Sequence, residues 1–275
     1  MKASELITNA DGSIYHLHLL PEDLAPTVIL VGDPGRVAAV SAKFSSIDVR
    51  KEKREFITHT GWYAGKRITV ISTGIGTDNI DIVLNELDAL VNIELNTRQP
   101  SDTHTSLNLI RIGTSGSIHP NIHADDIVVS GMAVGMDILG MYYPHQKLNS
   151  EVFPTWTYLT KRYPFDLSAF PEHYTEGITL TCPGFYGPQG RSLRLKPVFE
   201  FPMETLYQTQ ISGRSFTNIE MESSGIYLLS ELLGHRAISF NVILANRLQG
   251  EFSAQPAKTV DKLIEATLQW IAATI

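Results

Sequence analysis

The chain has 275 residues, 43% of them hydrophobic and 19% charged, with a formal net charge of −7; this predicts one globular domain over 1–275, large enough to need no metal or disulfide staple. The acidic balance argues against a broad nucleic-acid or membrane-surface footprint but leaves room for a local basic pocket holding a small anion. Cys182 is the only cysteine, which excludes an intrachain disulfide and a cysteine-based zinc site; no signal-peptide or membrane-helix pattern is read, so a cytoplasmic location is expected.

Residues 27–31 (TVILV) form a continuous apolar run stopped by Gly32, and residues 67–72 form another ahead of Gly74. A helical stripe of Ile80, Val83, Leu84, Leu87 and Val91 follows, with Thr77-Asp78 as its N-cap signal. Residues 96–106 (NTRQPSDTHTS) are polar, contain Pro100 and predict a surface loop or insertion. Runs at 109–112, ending at Gly113, at 126–130 and at 237–244 predict further strands. Ile226, Leu229, Leu232 and Leu233 make a second helical stripe closed by Gly234, and Val260, Leu263, Ile264, Leu268 and Ile271 make a third. The stretch 142–176, rich in proline and aromatics, yields no element. Apolar runs without alternation suit strands covered on both faces, and their alternation with helices predicts a layered α/β domain.

Three strand–glycine junctions carry the first chemical signal: Gly32-Asp33-Pro34-Gly35-Arg36, Gly74-Ile75-Gly76, and Gly113-Thr114-Ser115-Gly116 beside Arg111. Ligands bind at the carboxyl ends of strands in open α/β sheets. One such glycine is only a turn; three, two of them with an arginine, point to a phosphate-sized anion. Neither a Walker A loop nor a GxGxxG fingerprint is present, so no nucleoside triphosphate or dinucleotide is implied. Phe185-Tyr186-Gly187-Pro188-Gln189-Gly190-Arg191 combines a stacking aromatic, an amide and a guanidinium, which can read the edge of a pyrimidine dione; alone it also fits a plain surface loop. Glu220 and Glu222, two apart at a helix start, can send one carboxylate into a cleft toward sugar hydroxyls, or simply suit the helix dipole. The nine histidines show no zinc spacing. His119 and His123 flank a Pro120 loop, His16 and His18 alternate on an extended segment, and Cys182 has no evident base.

Together these segments resemble the nucleoside phosphorylase family and, within it, uridine phosphorylases. The shared strings are YHLHL (15–19), VGDPGRV (31–37), KREF (53–56), STGIG (72–76), RIGTSGSI (111–118), FYGPQGR (185–191), EMES (220–223) and ANR (245–247), in family order. The resemblance implies a three-layer α/β/α sandwich with a central mixed sheet. It implies phosphate binding by Gly32, Arg36, Arg111 and Thr114, with Arg54 lent to a neighbouring subunit. It assigns Glu220, Met221 and Glu222, with Thr114, to ribose, and His16 to the ribose 5′-hydroxyl across a subunit interface. Phe185, Gln189 and Arg191 match the uracil-reading positions. Arg111, Glu222, Arg191 and His16 are the residues expected to act in catalysis. Glu55, Ile75 and Asn79 align with a monovalent-cation site, where Asn79 replaces the usual serine.

The implied partners are uridine and inorganic phosphate, with no other cofactor, no nucleic acid and no membrane, in a homo-oligomer built from dimers that share active sites. The 96–106 insertion departs from the compact bacterial enzymes and bears on subunit packing, so a hexamer is not implied. Purine-selective relatives carry an Asp where this chain has Asn246, which disfavours a purine nucleoside phosphorylase. A water-using nucleosidase does not require Arg36, Arg54 and Arg111 together, and a non-catalytic nucleoside-binding module has no reason to keep Arg111, Glu222 and Arg191.

Overall fold

Val28 and Leu30 pack into one layer of side chains, and Ile29 and Val31 into the other. The run 27–31 therefore carries no polar side chain facing water: both faces of its sheet are covered. The computed structural model describes residues 1–198 and 202–275. Its longer strands are β1 (Thr27–Val31), β2 (Ser46–Lys53), β3 (Phe56–Tyr63), β4 (Lys66–Ser72), β5 (Asn108–Ser117), β6 (Ile127–Gly135), β7 (Tyr158–Lys161), β8 (Thr175–Thr181), β9 (Arg214–Glu220) and β10 (Arg236–Asn246). They form one mixed sheet in the order β9-β8-β6-β10-β5-β1-β4-β3-β2, with β7 antiparallel to β6. Helices α1 (Pro34–Ser41) and α4 (Pro256–Thr274) cover the face of Ile29 and Val31; α2 (Thr77–Asn92) and α3 (Ser223–Leu232) cover the face of Val28 and Leu30. This is the expected α/β/α layering around a mixed sheet.

One end of the sheet closes on itself. The last residues of β5 pair with β9, Asn218 opposite Ser117 and Ile219 opposite Gly116. Strands β5, β10, β6, β8 and β9 thus form a ring, while β1, β4, β3 and β2 extend from it as an open sheet. Strand β5 belongs to both parts, parallel to β1 on one side and to β10 on the other.

The structure corrects three local expectations. Strand β5 does not end at Gly113 but runs on to Ser117. The N-cap position of α2 is Gly76, at φ 92°, rather than Thr77-Asp78. The segment 15–17 is a turn, not extended, with His18 N–H donating to Ile14 O at 3.0 Å. The hairpin of β2 and β3 escapes the apolar-run signal because β2 is an edge strand reading SIDVRKEK and β3 buries Thr58, His59 and Thr60 among its polar residues.

The 96–106 stretch is held down. Arg98 Nε donates to Leu6 O at 2.9 Å and His104 Nε2 to Leu233 O at 2.8 Å. His104 stacks on His235 with ring centres 6.0 Å apart. His235 Nδ1 accepts the Leu107 N–H at 3.2 Å, and its Nε2 lies 3.2 Å from Asp88 Oδ1 without forming a hydrogen bond. Sequence spacing did not reveal this Asp88–His104–His235 grouping, in which His104 clamps the 96–106 stretch to the end of α3. Among the described residues no helix is long and apolar enough to cross a membrane.

Trp270 of α4 lies fully buried against Phe165 and Phe240, and its indole N–H reaches Asp166 O at 2.9 Å. Trp270→Ala is expected to cost about 3–5 kcal/mol of stability, read as a lowered urea midpoint at fixed protein concentration.

Candidate active site

The site gathers where β1, β4 and β9 end and beside the middle of β5. Beyond Gly32, the Asp33 carboxylate accepts the Gly35 N–H at 2.9 Å and caps α1, whose first residue is Pro34. This turn sends Arg36 back toward β5, where Nη1 donates to Ile112 O at 3.1 Å. Arg111 is buried on β5. Its Nη1 donates to Asn241 Oδ1 at 2.7 Å, and its Nη2 lies 2.5 Å from Glu222 Oε2 and 3.4 Å from Glu220 Oε2. A Cβ on Gly113 would stand 1.7 Å from Arg111 Nη1, so this glycine makes room for the guanidinium rather than turning the chain.

Glu222 receives the N–H of Gly76 on its other oxygen at 2.7 Å, joining the β4–α2 loop to the start of α3. Glu220 ends β9 and Glu222 precedes α3, so the two carboxylates sit on a strand-to-helix corner and both reach Arg111. Their roles separate. Glu220 accepts from Thr181 Oγ1 (2.6 Å) and from the backbone N–H groups of Glu222 (3.0 Å) and Ser223 (2.9 Å), which fastens the first turn of α3. Met221 and Thr114 are half-buried beside this corner and on β5, respectively.

Burial tends to lower the Arg111 pKa, but Glu222 and then Glu220 outweigh it, and the net shift is upward. Burial raises Glu222, against the pull of Arg111. Burial lowers Arg36, and the charge of Arg111 lowers it further. Two arginines whose charges oppose each other, next to glycine loops, are stabilised by an anion held between them.

The residues expected to read the base leave from the end of β8. Gln189 is buried, Phe185 is half exposed, and Arg191 lies over the Phe185 ring at 3.9 Å. Arg191 Nη1 donates to Gln189 Oε1 at 2.5 Å and to Phe185 O at 2.6 Å. Sequence reasoning missed Arg247, whose Nη1 donates to Gln189 O at 2.7 Å. Burial and then the charge of Arg191 bring the Arg247 pKa down to about 10. Its signal was the ANR string itself, which reads first as the lack of an acid. Asn241 was missed as well, a polar residue inside an apolar strand run. Asn246 is fully buried with every polar group used: Nδ2 donates to His119 O (3.0 Å) and Ile122 O (2.8 Å), and Oδ1 accepts from Leu248 N–H (2.9 Å) and Gln249 N–H (3.0 Å).

His16 and Arg54 do not join this cluster within the chain. Arg54 is exposed at φ 56° in the β2–β3 turn, with no hydrogen bond or ion pair among the described residues. Lys53 Nζ, next to it, bonds Tyr15 O and Asn9 Oδ1, while Glu86 of α2 holds His16. Both residues therefore sit on one fastened patch. Asn79 Nδ2 donates to Glu55 Oε1 at 3.2 Å. The carboxylate expected for the cation already faces an amide N–H, so the pair fits a hydrogen bond better than a cage of oxygens with Ile75.

Gly113→Ala is expected to displace Arg111 and weaken apparent phosphate affinity about tenfold or more, measured as the phosphate KM. Asn246→Asp puts a carboxylate against two carbonyls. It is expected to lower stability by about 1–3 kcal/mol in thermal unfolding, without creating inosine phosphorolysis.

Comparison with known proteins agrees with this arrangement. A model of the phosphorylase superfamily matches residues 26–275. A uridine phosphorylase of Thermococcus kodakarensis is 30% identical over 264 residues, covering 94% of this chain and 88% of its own. A DeoD-type purine nucleoside phosphorylase of Listeria monocytogenes is 25% identical over 240 residues, covering 86% and 88%. A solved Trypanosoma brucei nucleoside phosphorylase, described as showing uridine phosphorylase activity, superposes with a TM-score of 0.86 at 28% identity, covering 98% of this chain and 100% of its own. The family match runs from just before β1 to the end of α4 and takes in the whole Arg111–Glu222 corner: the chain belongs to the phosphorylase superfamily.

Proposed function

We propose that this protein is a uridine phosphorylase, a pentosyltransferase that converts uridine and inorganic phosphate reversibly into uracil and α-D-ribose 1-phosphate. The observation that carries the reading is the Gln189–Arg191 pair, backed by Arg247, at the far end of the strand that holds Arg111. Gly116 of β5 faces Arg247: a Cβ at this position would lie 3.5 Å from the Arg247 side chain, an ordinary contact. One strand thus holds an anion site at Arg111 and Thr114 and borders a base site at Gly116. The 30% identical relative bears the same activity in its name, and a purine-directed acid is replaced by the fully bonded Asn246.

Arg36, Arg111 and the Gly32 loop hold phosphate beneath the sugar. Glu222, fixed by Gly76 and Arg111, accepts from a ribose hydroxyl and turns C1′ toward the phosphate, which is catalysis by orientation. The bond from C1′ to N1 of uracil breaks as a phosphate oxygen bonds to C1′. The sugar gains cationic character, stabilised by the phosphate below. The bonding pair leaves with uracil, and Arg191 and Gln189 stabilise the resulting anion until solvent protonates it. Phosphate is the second substrate, and this chemistry calls for no organic cofactor.

The working unit in this reading is at least a homodimer in the cytoplasm. The exposed Arg54 and the clamped His16 are the groups offered to a neighbour's phosphate and ribose.

Base release from uridine is expected only with phosphate present, and none from inosine; phosphate-independent release would indicate a nucleosidase instead. Arg191→Ala is expected to lower kcat/KM for uridine by about 10²–10³-fold and change the phosphate KM by only a few-fold. An equal loss in both would contradict the assigned roles.

A further inference from the structure

Glu86 of α2 makes an unusual set of contacts. Its Oε1 and Oε2 both take the backbone N–H of His16, at 3.1 and 3.0 Å, Oε2 takes the N–H of Leu17 at 2.9 Å, and Oε1 lies 2.6 Å from the ring Nδ1 of His16. An ionised carboxylate has only acceptors, so the proton of this bond sits on Nδ1. In its neutral form the ring then carries a lone pair on Nε2. No hydrogen bond reaches Nε2 among the described residues, and the side chain stays 29% exposed against 13% for Glu86. Tyr15 packs edge-on against the ring at 4.8 Å, and Lys53 lies 4.3 Å from the Tyr15 ring centre. The imidazole is thus held in place with one nitrogen facing out.

We infer that Glu86 is a positioning residue that makes His16 a hydrogen-bond acceptor, and that this choice of tautomer sets which 5′ groups the enzyme refuses. The inference rests on the proposed function, in which His16 meets the ribose 5′ position bound by a neighbouring subunit. A hydroxyl donates to the Nε2 lone pair and is accepted. A phosphate monoester ionised to its dianion offers only acceptor oxygens. It meets a lone pair backed by the negative charge of Glu86 and is turned away. The enzyme therefore takes nucleosides and excludes nucleoside 5′-phosphates through a carboxylate that touches neither.

Glu86→Gln tests this in the full-length protein. The glutamine carbonyl can still accept the backbone N–H groups, while its NH2 faces Nδ1 and donates, which moves the ring proton to Nε2. Uridine is tolerated by either tautomer because a hydroxyl both donates and accepts, so its kcat/KM is expected to change by no more than a few-fold. Inhibition by uridine 5′-phosphate is expected to tighten about tenfold or more, measured at pH 8, where that phosphate is a dianion. Loosening of the 15–17 turn alone would weaken both ligands and could not tighten the nucleotide. Two-bond ¹H–¹⁵N NMR of the histidine ring, assigned with His16→Gln, should show Nδ1–H in the wild type and Nε2–H in the variant. Nε2 protonated in the wild type, or an unchanged or weaker nucleotide inhibition in the variant, overturns the inference. If uridine proves not to be a substrate, the proposed function fails, and the ring spectrum still judges the role of Glu86.

Discussion

The ion pair between Arg111 and Glu222 constrains much of the surrounding structure. Both groups are buried, with 5% of each residue exposed. Two charges taken out of water are tolerated only when their remaining donors and acceptors are matched. Asn241, Gly76 and Glu220 supply that matching, and each sits where local preference alone would place something else. Asn241 lies inside an apolar strand. Gly76 replaces a side-chain cap at the head of α2. Glu220 spends its carboxylate on the turn that delivers Glu222. The same demand reaches into the ring of strands, where Ser130, Thr179, Asn218 and Ser115 pass hydrogen bonds from one strand to the next. An apolar filling there would leave Asn241 without partners for its amide hydrogens, which now face Ser130 at 3.3 Å and Ser239 at 3.4 Å.

In the proposed function, strand β5 divides the chemistry along its length. Arg111 at its middle pairs with Glu222, and Gly116 near its end faces Arg247, whose Nη1 donates to Gln189 O. A substrate held at both ends is fixed in the direction of the strand, which is how a rigid sheet can align a sugar between a nucleophile and a leaving group. His16 and Arg54 lie off this line. They are supported instead by Glu86 and Lys53, so the groups offered outward share one firm base.

Much of the layered fold was legible because both sheet faces are covered: 27–31, 67–72 and 237–244 read as strands from apolar continuity alone. The edge hairpin was not, because β2 alternates charge with partial burial and β3 buries polar residues, Thr60 among them through a hydrogen bond to Thr69 at 2.7 Å. The helix stripes were readable from their 3.6-residue period, but the start of α2 was misplaced, since its N-cap is a backbone arrangement completed by a carboxylate 146 positions away. Glu220 and Glu222 do sit at a helix start, as read, but the pairing of both carboxylates with Arg111 depends on a distant strand and was not legible. Gly113 looked like a strand end because a glycine that spares a neighbouring side chain and a glycine that permits a turn are identical in sequence. Arg247 and the Asp88–His104–His235 clamp depend on contacts between distant segments, which no local spacing encodes.

The closure of the ring has a consequence for how the protein is made. Arg111 meets Asn241 across 130 positions and Glu222 across 111, and β10 enters the sheet only after most of the chain has emerged. Contacts this distant in sequence form late, after the cost of closing long loops has been met. A nascent chain lacking β10 holds Arg111 without Asn241, the side chain that anchors its Nη1. The Arg111–Asn241 contact therefore arrives with β10, and a fragment ending before residue 236 cannot complete the proposed phosphate site during synthesis.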